Sequence, residues 1–243
     1  MKKLLLFPIL KILSLFKYQG FPLYFLPDGG MGSHKTYLKF VIDSLSIDVP
    51  LIVEAGSGYH STGLLVKHLR KTNYRLLSFD NHQNWHKKMS KKYSNPNSKF
   101  ILINGKSYFE INDYLKEQSI DKIDLTFIDS SPFDSRTEVI NIVKEISNII
   151  CVHDSDYFPH NNLWGKEDSE IMFKPKNKFF YGRLKRENLG IRNYDSVFKY
   201  WVEIFPLKPG HFTGPPLLVA SNIQDVRKLF EKNKPKGIYF FSK

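Results

Sequence analysis

Residues 51–63 read LIVEAGSGYHSTG, an apolar run closed by a turn with glycine at 56, 58 and 63. Leu51–Ala55 predicts a strand, broken only by Glu54, of the kind buried on both faces of a sheet. Gly56 and Gly58 permit a sharp turn and a close approach of backbone to a ligand. Gly63–Arg70, apolar at Leu64, Leu65 and Leu69, predicts a helix leading away from the turn. Moving outward, the pattern repeats. Tyr74–Phe79 is a second strand ending in Asp80, followed by a helical Trp85–Lys92. Phe100–Ile103 precedes a helix over Tyr108–Gln118, and Ile123–Ile128 (IDLTFI) ends in Asp129 before a helix over Arg136–Ile146. Ile149–Val152 is the fifth strand and runs into His153-Asp154-Ser155-Asp156.

Strands alternating with helices at this spacing close right-handed crossovers, so the fold class is α/β, a doubly wound Rossmann-like, mostly parallel sheet. The tail adds strands at Pro216–Ala220 and Gly237–Phe241 around an amphipathic Ile223–Glu231, giving an antiparallel C-terminal strand. Residues 1–48 form an N-terminal helical extension and 49–243 the main domain, with an insertion or cap at about 158–200. Phe133, Tyr157, Phe158 and Trp164 are candidates to wall a pocket.

At 42% hydrophobic and 15% aromatic, the 243-residue chain can bury a full core, which excludes intrinsic disorder. The single Cys151 excludes a disulfide framework and a Cys-based zinc cluster, and suits a reducing, cytoplasmic location. Met1–Phe16 (MKKLLLFPILKILSLF) is too short to span a bilayer, and Pro8 and Lys11 interrupt the apolar core that a signal peptide needs. An amphipathic helix packed on the body, or in peripheral contact with a membrane, is expected there. Residues 63–106 supply +9 of the net charge of +12, with Asp80 the sole acid in that stretch. Such a field favours an anionic substrate, with nucleic acid the less favoured partner because no aromatic stacking ladder accompanies the lysines.

Ligands of doubly wound sheets bind beyond the carboxyl ends of the strands, where the strand order reverses. Asp80, Asp129 and Asp154 each stand at such a strand end. Asp80 follows Gly58 by 22 residues, the place where a carboxylate accepts the hydroxyls of a ribose. A dinucleotide fingerprint would need a third glycine at Ser61, so a bound pyrophosphate is disfavoured.

Glu54-x-Gly56-x-Gly58, Asp80, Ile128-Asp129 and His153-Asp154-Ser155-Asp156 resemble the landmarks of class I S-adenosylmethionine-dependent methyltransferases, nearest to the catechol O-methyltransferase-related branch. The resemblance covers about residues 50–157. It implies that Gly56 and Gly58 cradle the methionine end of S-adenosylmethionine, that Glu54 orients their turn, and that Asp80 binds the ribose. Asn81 and Ser107 would lie near the adenine, and Asp129 would face the methyl-transfer region. The acceptor would be the hydroxyl of a small molecule or glycan, with Asp129, Asp154 and His153 as catalytic candidates. In metal-dependent relatives the corresponding acids hold a divalent cation, implying Mg2+ at Asp129 and Asp154. Here Ser155 replaces the expected asparagine, a poorer ligand for a hard cation.

Two other readings stand beside it. Gly29 with Lys35-Thr36 matches a P-loop except that His34 occupies the second glycine position. A methyltransferase-like fold could also serve as a non-catalytic, basic binding module.

Overall fold

A computed structural model describes residues 34–45, 47–105, 107–132, 134–155, 194–208, 211–212, 216–231 and 234–242. The Met1–Phe16 helix, the pocket aromatics at 133, 157, 158 and 164, and the cap as far as residue 193 lie outside the described residues. No described helix is long and apolar enough to cross a membrane.

The elements are α1 (Lys35–Asp43), β1 (Leu51–Ala55), α2 (Thr62–His68), β2 (Arg75–Asp80), α3 (Gln83–Tyr93), β3 (Ser98–Leu102) and α4 (Glu110–Glu117). They continue with β4 (Ile123–Ile128), α5 (Asp134–Val143), β5 (Ser147–His153), β6 (Tyr200–Lys208), β7 (His211–Phe212), β8 (Leu217–Ser221) and β9 (Gly237–Phe241). The sheet order is β3-β2-β1-β4-β5-β8-β6-β7, with β9 also paired to β6. Strands β1 to β5 are mutually parallel, and β8 runs antiparallel to both β5 and β6. The doubly wound, mostly parallel sheet with antiparallel C-terminal strands is therefore present.

The inner parallel strands β1, β2, β4 and β5 divide their apolar side chains between two cores, while the edge strand β3 is at most half-buried. Val53, Leu77, Phe79, Ile150 and Val152 pack with α4 and α5 on one face. Ile52, Leu76, Leu125, Phe127 and Cys151 pack on the other, beneath α1 and α2. Helix α1 buries Tyr37, Leu38, Val41 and Ile42 in this second core.

Two details differ from the sequence reading. A strand outside the sequence reading, β6, lies between β8 and β9 and pairs with both. The amphipathic stretch over 223–231 shortens to a 3-10 turn, Val226–Phe230, opened by the Asp225 carboxylate accepting from the Arg227 amide.

Candidate functional site

The strand order reverses between β2 and β4 on either side of β1, so the glycine turn after β1 sits at the switch point. The ladder continues one step past the strand ends. Gly56 donates its N–H to Phe79 O, and Asp129 donates to Ala55 O, each at 2.8 Å. Gly56 has φ +88°, and a Cβ there would lie 2.4 Å from the Asp129 carbonyl oxygen. Only glycine fits.

Behind the turn lies Glu54, fully buried. The Thr62 hydroxyl donates to both its carboxylate oxygens (2.9 and 2.8 Å), and the Ser78 hydroxyl donates at 2.6 Å. Thr62 Oγ1 also accepts the Gly58 N–H at 2.9 Å. Glu54 thus holds the turn through Thr62 and is not itself among the residues lining the groove beside the turn. Burial pushes its carboxyl up to about 7, against the pull of the hydroxyls of Ser78, Ser61 and Thr62.

Asp80 accepts from the Ser57 amide (3.1 Å) and hydroxyl (2.6 Å) on one oxygen and from the His82 amide (2.9 Å) on the other. All three donors are neutral. A carboxylate carries about four acceptor sites, so capacity remains for a ligand hydroxyl. Asn81 Nδ2 donates to Ser131 O at 2.8 Å and ties the β2 and β4 loops across the end of β1.

A groove of about 300 Å³ opens here, lined by Gly56, Ser57, Asp80, Asn81, His82, Trp85, Tyr108, Asp129 and Ser131. Glycine turn, Asp80, Asn81 and Asp129 therefore share one cavity. Ser107 stands apart from that lining; its hydroxyl donates to Glu138 at 3.1 Å, and its neighbour Tyr108 takes the place in the wall. His82, Trp85 and Tyr108 are lining residues that the sequence reading passed over. Trp85 is fixed by its indole N–H donating to Ser57 O at 2.7 Å.

The second acidic group lies at the ends of β4 and β5. Asp129, His153 and Asp154 offer ligand atoms within 4.8 Å of one another, and of these Asp129 also lines the groove. His153 Nδ1 is 3.2 Å from Asp129 Oδ1, and its Nε2 is 3.5 Å from Asp154 Oδ1. Asp154 adopts φ +49°, an uncommon left-handed conformation for a residue other than glycine.

Arg136, from the first turn of α5, is buried between these carboxylates and was no part of the site read from the sequence. Its Nη2 contacts Asp129 Oδ1 at 2.8 Å and Asp154 Oδ2 at 3.2 Å. Its Nε donates to Ser130 O at 3.1 Å, and Nη1 donates to the His153 and Asp154 carbonyls. A cation in the first turn of a helix opposes the helix dipole, and nothing else in the sequence marks Arg136 as part of the site.

A divalent cation bridging Asp129 and Asp154 fits this arrangement poorly. The guanidinium already stands between their oxygens, and Ser155 turns its hydroxyl to Glu203 on β6 at 2.7 Å.

Burial would raise the Asp129 carboxyl, but the charges of His153 and Arg136 outweigh it and hold it at about 2. His153 goes the other way. Burial lowers an imidazole, yet Asp154 and Asp129 overcome that and raise it above its ordinary value. His34 lies edge-on to His153, with ring centroids 4.2 Å apart. Burial and the neighbouring His153 push it well below its ordinary value, so His34 is the neutral member of the two. Its ring also packs on Phe127, which places it in the core where a P-loop would need a bare backbone.

No family model matches the sequence, and no curated protein resembles it significantly. Solved structures do resemble the fold. An O-methyltransferase from Bacillus cereus in complex with S-adenosylhomocysteine aligns at TM-score 0.50 and 9% identity, over 87% of this chain and 89% of that one. TomG, an O-methyltransferase from Streptomyces achromogenes solved with S-adenosylmethionine, aligns at 0.48 and 14%, over 82% and 83%. The methyltransferase domain of METTL16 aligns at 0.47 and 14%, over 78% of this chain and 66% of that domain. The resemblance read from the strand-end motifs thus holds at the level of the fold: this chain has the class I methyltransferase architecture.

Proposed function

We propose that the protein is an S-adenosylmethionine-dependent methyltransferase that methylates a hydroxyl of a small molecule or glycan. The observation that carries this reading is the joint lining of one groove by Gly56, Ser57, Asp80, Asn81, Tyr108 and Asp129 at the switch point. A groove of this size and polarity suits a nucleoside with a charged amino-acid arm. Asp80 accepts a ribose hydroxyl with its remaining acceptor site, and Gly56, where a Cβ would strike the Asp129 carbonyl, lets the turn close onto the end of β4 beside the methionine arm.

When bound, S-adenosylmethionine supplies an electrophilic methyl group; transfer to a hydroxyl breaks the S–CH3 bond, forms an O–CH3 bond, leaves a neutral thioether and releases one proton. The chain must orient the acceptor and take that proton. Asp129 faces the groove, but a carboxyl held at about 2 is a poor proton acceptor. His153, 3.2 Å behind it, is the stronger base because its imidazole is raised. Asp129, which lines the groove, positions the acceptor hydroxyl and relays its proton to His153, whose Nδ1 lies 3.2 Å from Asp129 Oδ1. The rate should therefore rise with pH through the His153 value, above 6.5.

Calorimetric titration with S-adenosylhomocysteine tests the reading. Binding in the micromolar range, weakened at least tenfold in Asp80→Ala, is expected. A folded chain that gives no heat would overturn it.

A further inference from the structure

We propose that Arg136 is a built-in counter-cation standing where metal-dependent methyltransferases of this fold hold a divalent ion, so that the site works without one and becomes a metal site only when Arg136 is removed. The inference takes Asp129 and Asp154 as the acids of the proposed transfer site, but its geometry is independent of what binds the groove.

Three observations carry it. First, a single guanidinium nitrogen reaches oxygens of both carboxylates, at 2.8 and 3.2 Å, which is the bridging position a cation would need. Secondly, the guanidinium is anchored on its other sides. Nε is spent on Ser130 O, and Nη1 on the His153 and Asp154 carbonyls, so each guanidinium nitrogen has an acceptor. An arginine held in this manner cannot swing away for a metal without leaving backbone acceptors buried and unpaired. Thirdly, the next residue that could complete a hard-cation shell is committed elsewhere. The Ser155 hydroxyl donates to Glu203, and Tyr194 donates to the same Glu203 oxygen at 3.1 Å.

The consequence is chemical. A divalent ion would bind the acceptor hydroxyl directly and lower its pKa. A guanidinium has no vacant coordination position and cannot do that. It offsets one of the two carboxylate charges and fixes Asp129 at the groove, leaving deprotonation to a side-chain base. Arg136 is thus a positioning residue.

The probe is Mn2+, followed by its electron paramagnetic resonance signal on the full chain, with S-adenosylhomocysteine calorimetry in parallel. The wild-type chain should show no saturable Mn2+ uptake, and its S-adenosylhomocysteine affinity should be unchanged by a chelator. Arg136→Ala, shown by circular dichroism to be folded, should gain one Mn2+ site with a Kd on the order of 10⁻⁴ M, as for a shell of few carboxylates. Adding Asp154→Asn should abolish that gain. Arg136→Lys, which keeps a charge in place, should fold and still exclude the ion. Wild-type uptake of Mn2+ that disappears in Asp154→Asn would overturn the proposal, and so would a folded Arg136→Ala chain that takes up none. If S-adenosylhomocysteine fails to bind while the Mn2+ results stand, the methyltransferase reading falls and the counter-cation does not.

Discussion

The two acidic ends of the groove are built from the same residue type at equivalent strand ends, yet they are compensated in opposite ways. At β2, Asp80 is held by backbone amides and one serine hydroxyl, all neutral. At β4 and β5, Asp129 and Asp154 are held by a buried guanidinium and an imidazole. A carboxylate satisfied by neutral dipoles keeps its charge and its spare lone pairs for a neutral polyol. One satisfied by cations is already neutralised, and serves to aim what surrounds it. The same side chain is a binding group at one end and a scaffold at the other.

The sharpest way to break this comparison is to remove the cation. Arg136→Ala leaves two carboxylates facing each other in a mostly buried setting, and should cost about 3 kcal/mol of unfolding free energy in urea titrations. Asp80→Asn, which keeps one acceptor oxygen and leaves one amide N–H facing its Nδ2, should cost only about 1 kcal/mol by the same measurement. Equal losses would mean that the two ends do not differ as described.

Glu54 supplies the next largest effect, because it lies behind both ends and has no cation. Its carboxyl is raised to about 7, so between about pH 4.5 and 7 the folded chain binds more protons than the unfolded one. Stability should fall as pH rises through that window, by about 3 kcal/mol in all, and level off above it. Glu54→Gln should flatten the dependence, read as melting temperature against pH.

The smallest effect belongs to His153. Its raised value means that the charged imidazole contributes stability in full below the unfolded value of 6.5, lost as pH rises through the folded value. His153→Gln should remove this alkaline loss in the same melting series. Nitrogen-15 spectra of the wild-type imidazole should show it titrating above 6.5.

How much of this was legible beforehand follows from what each segment must hide. Strands β1, β2, β4 and β5 are buried on both faces, so their apolar runs stand out and even the acids that close them could be located. Strand β6 (YWVEIFPLK) escaped notice, because Glu203 interrupts its apolar run and Pro206 weakens any strand reading. Glu203 is tolerated there because the hydroxyls of Ser155 and Tyr194, both outside the strands, donate to it. The four groove residues Gly56, Gly58, Asp80 and Asp129 were expected around one small molecule; Gly56, Asp80 and Asp129 line the cavity, while Gly58 shapes its turn through Thr62. Arg136 and Tyr108 were not foreseen, because a helix-borne arginine and a loop tyrosine look the same in sequence whether they point to solvent or inward.

The sequence alone determined the layered architecture, the position of the ligand turn and the acids that ring it, since burial periodicity and strand-end punctuation are local properties written residue by residue. Tertiary structure alone decided which acids stay available and which are neutralised. That choice depends on the distance between Arg136 on a helix and two strand ends, and Coulomb interactions act through space and not along the chain.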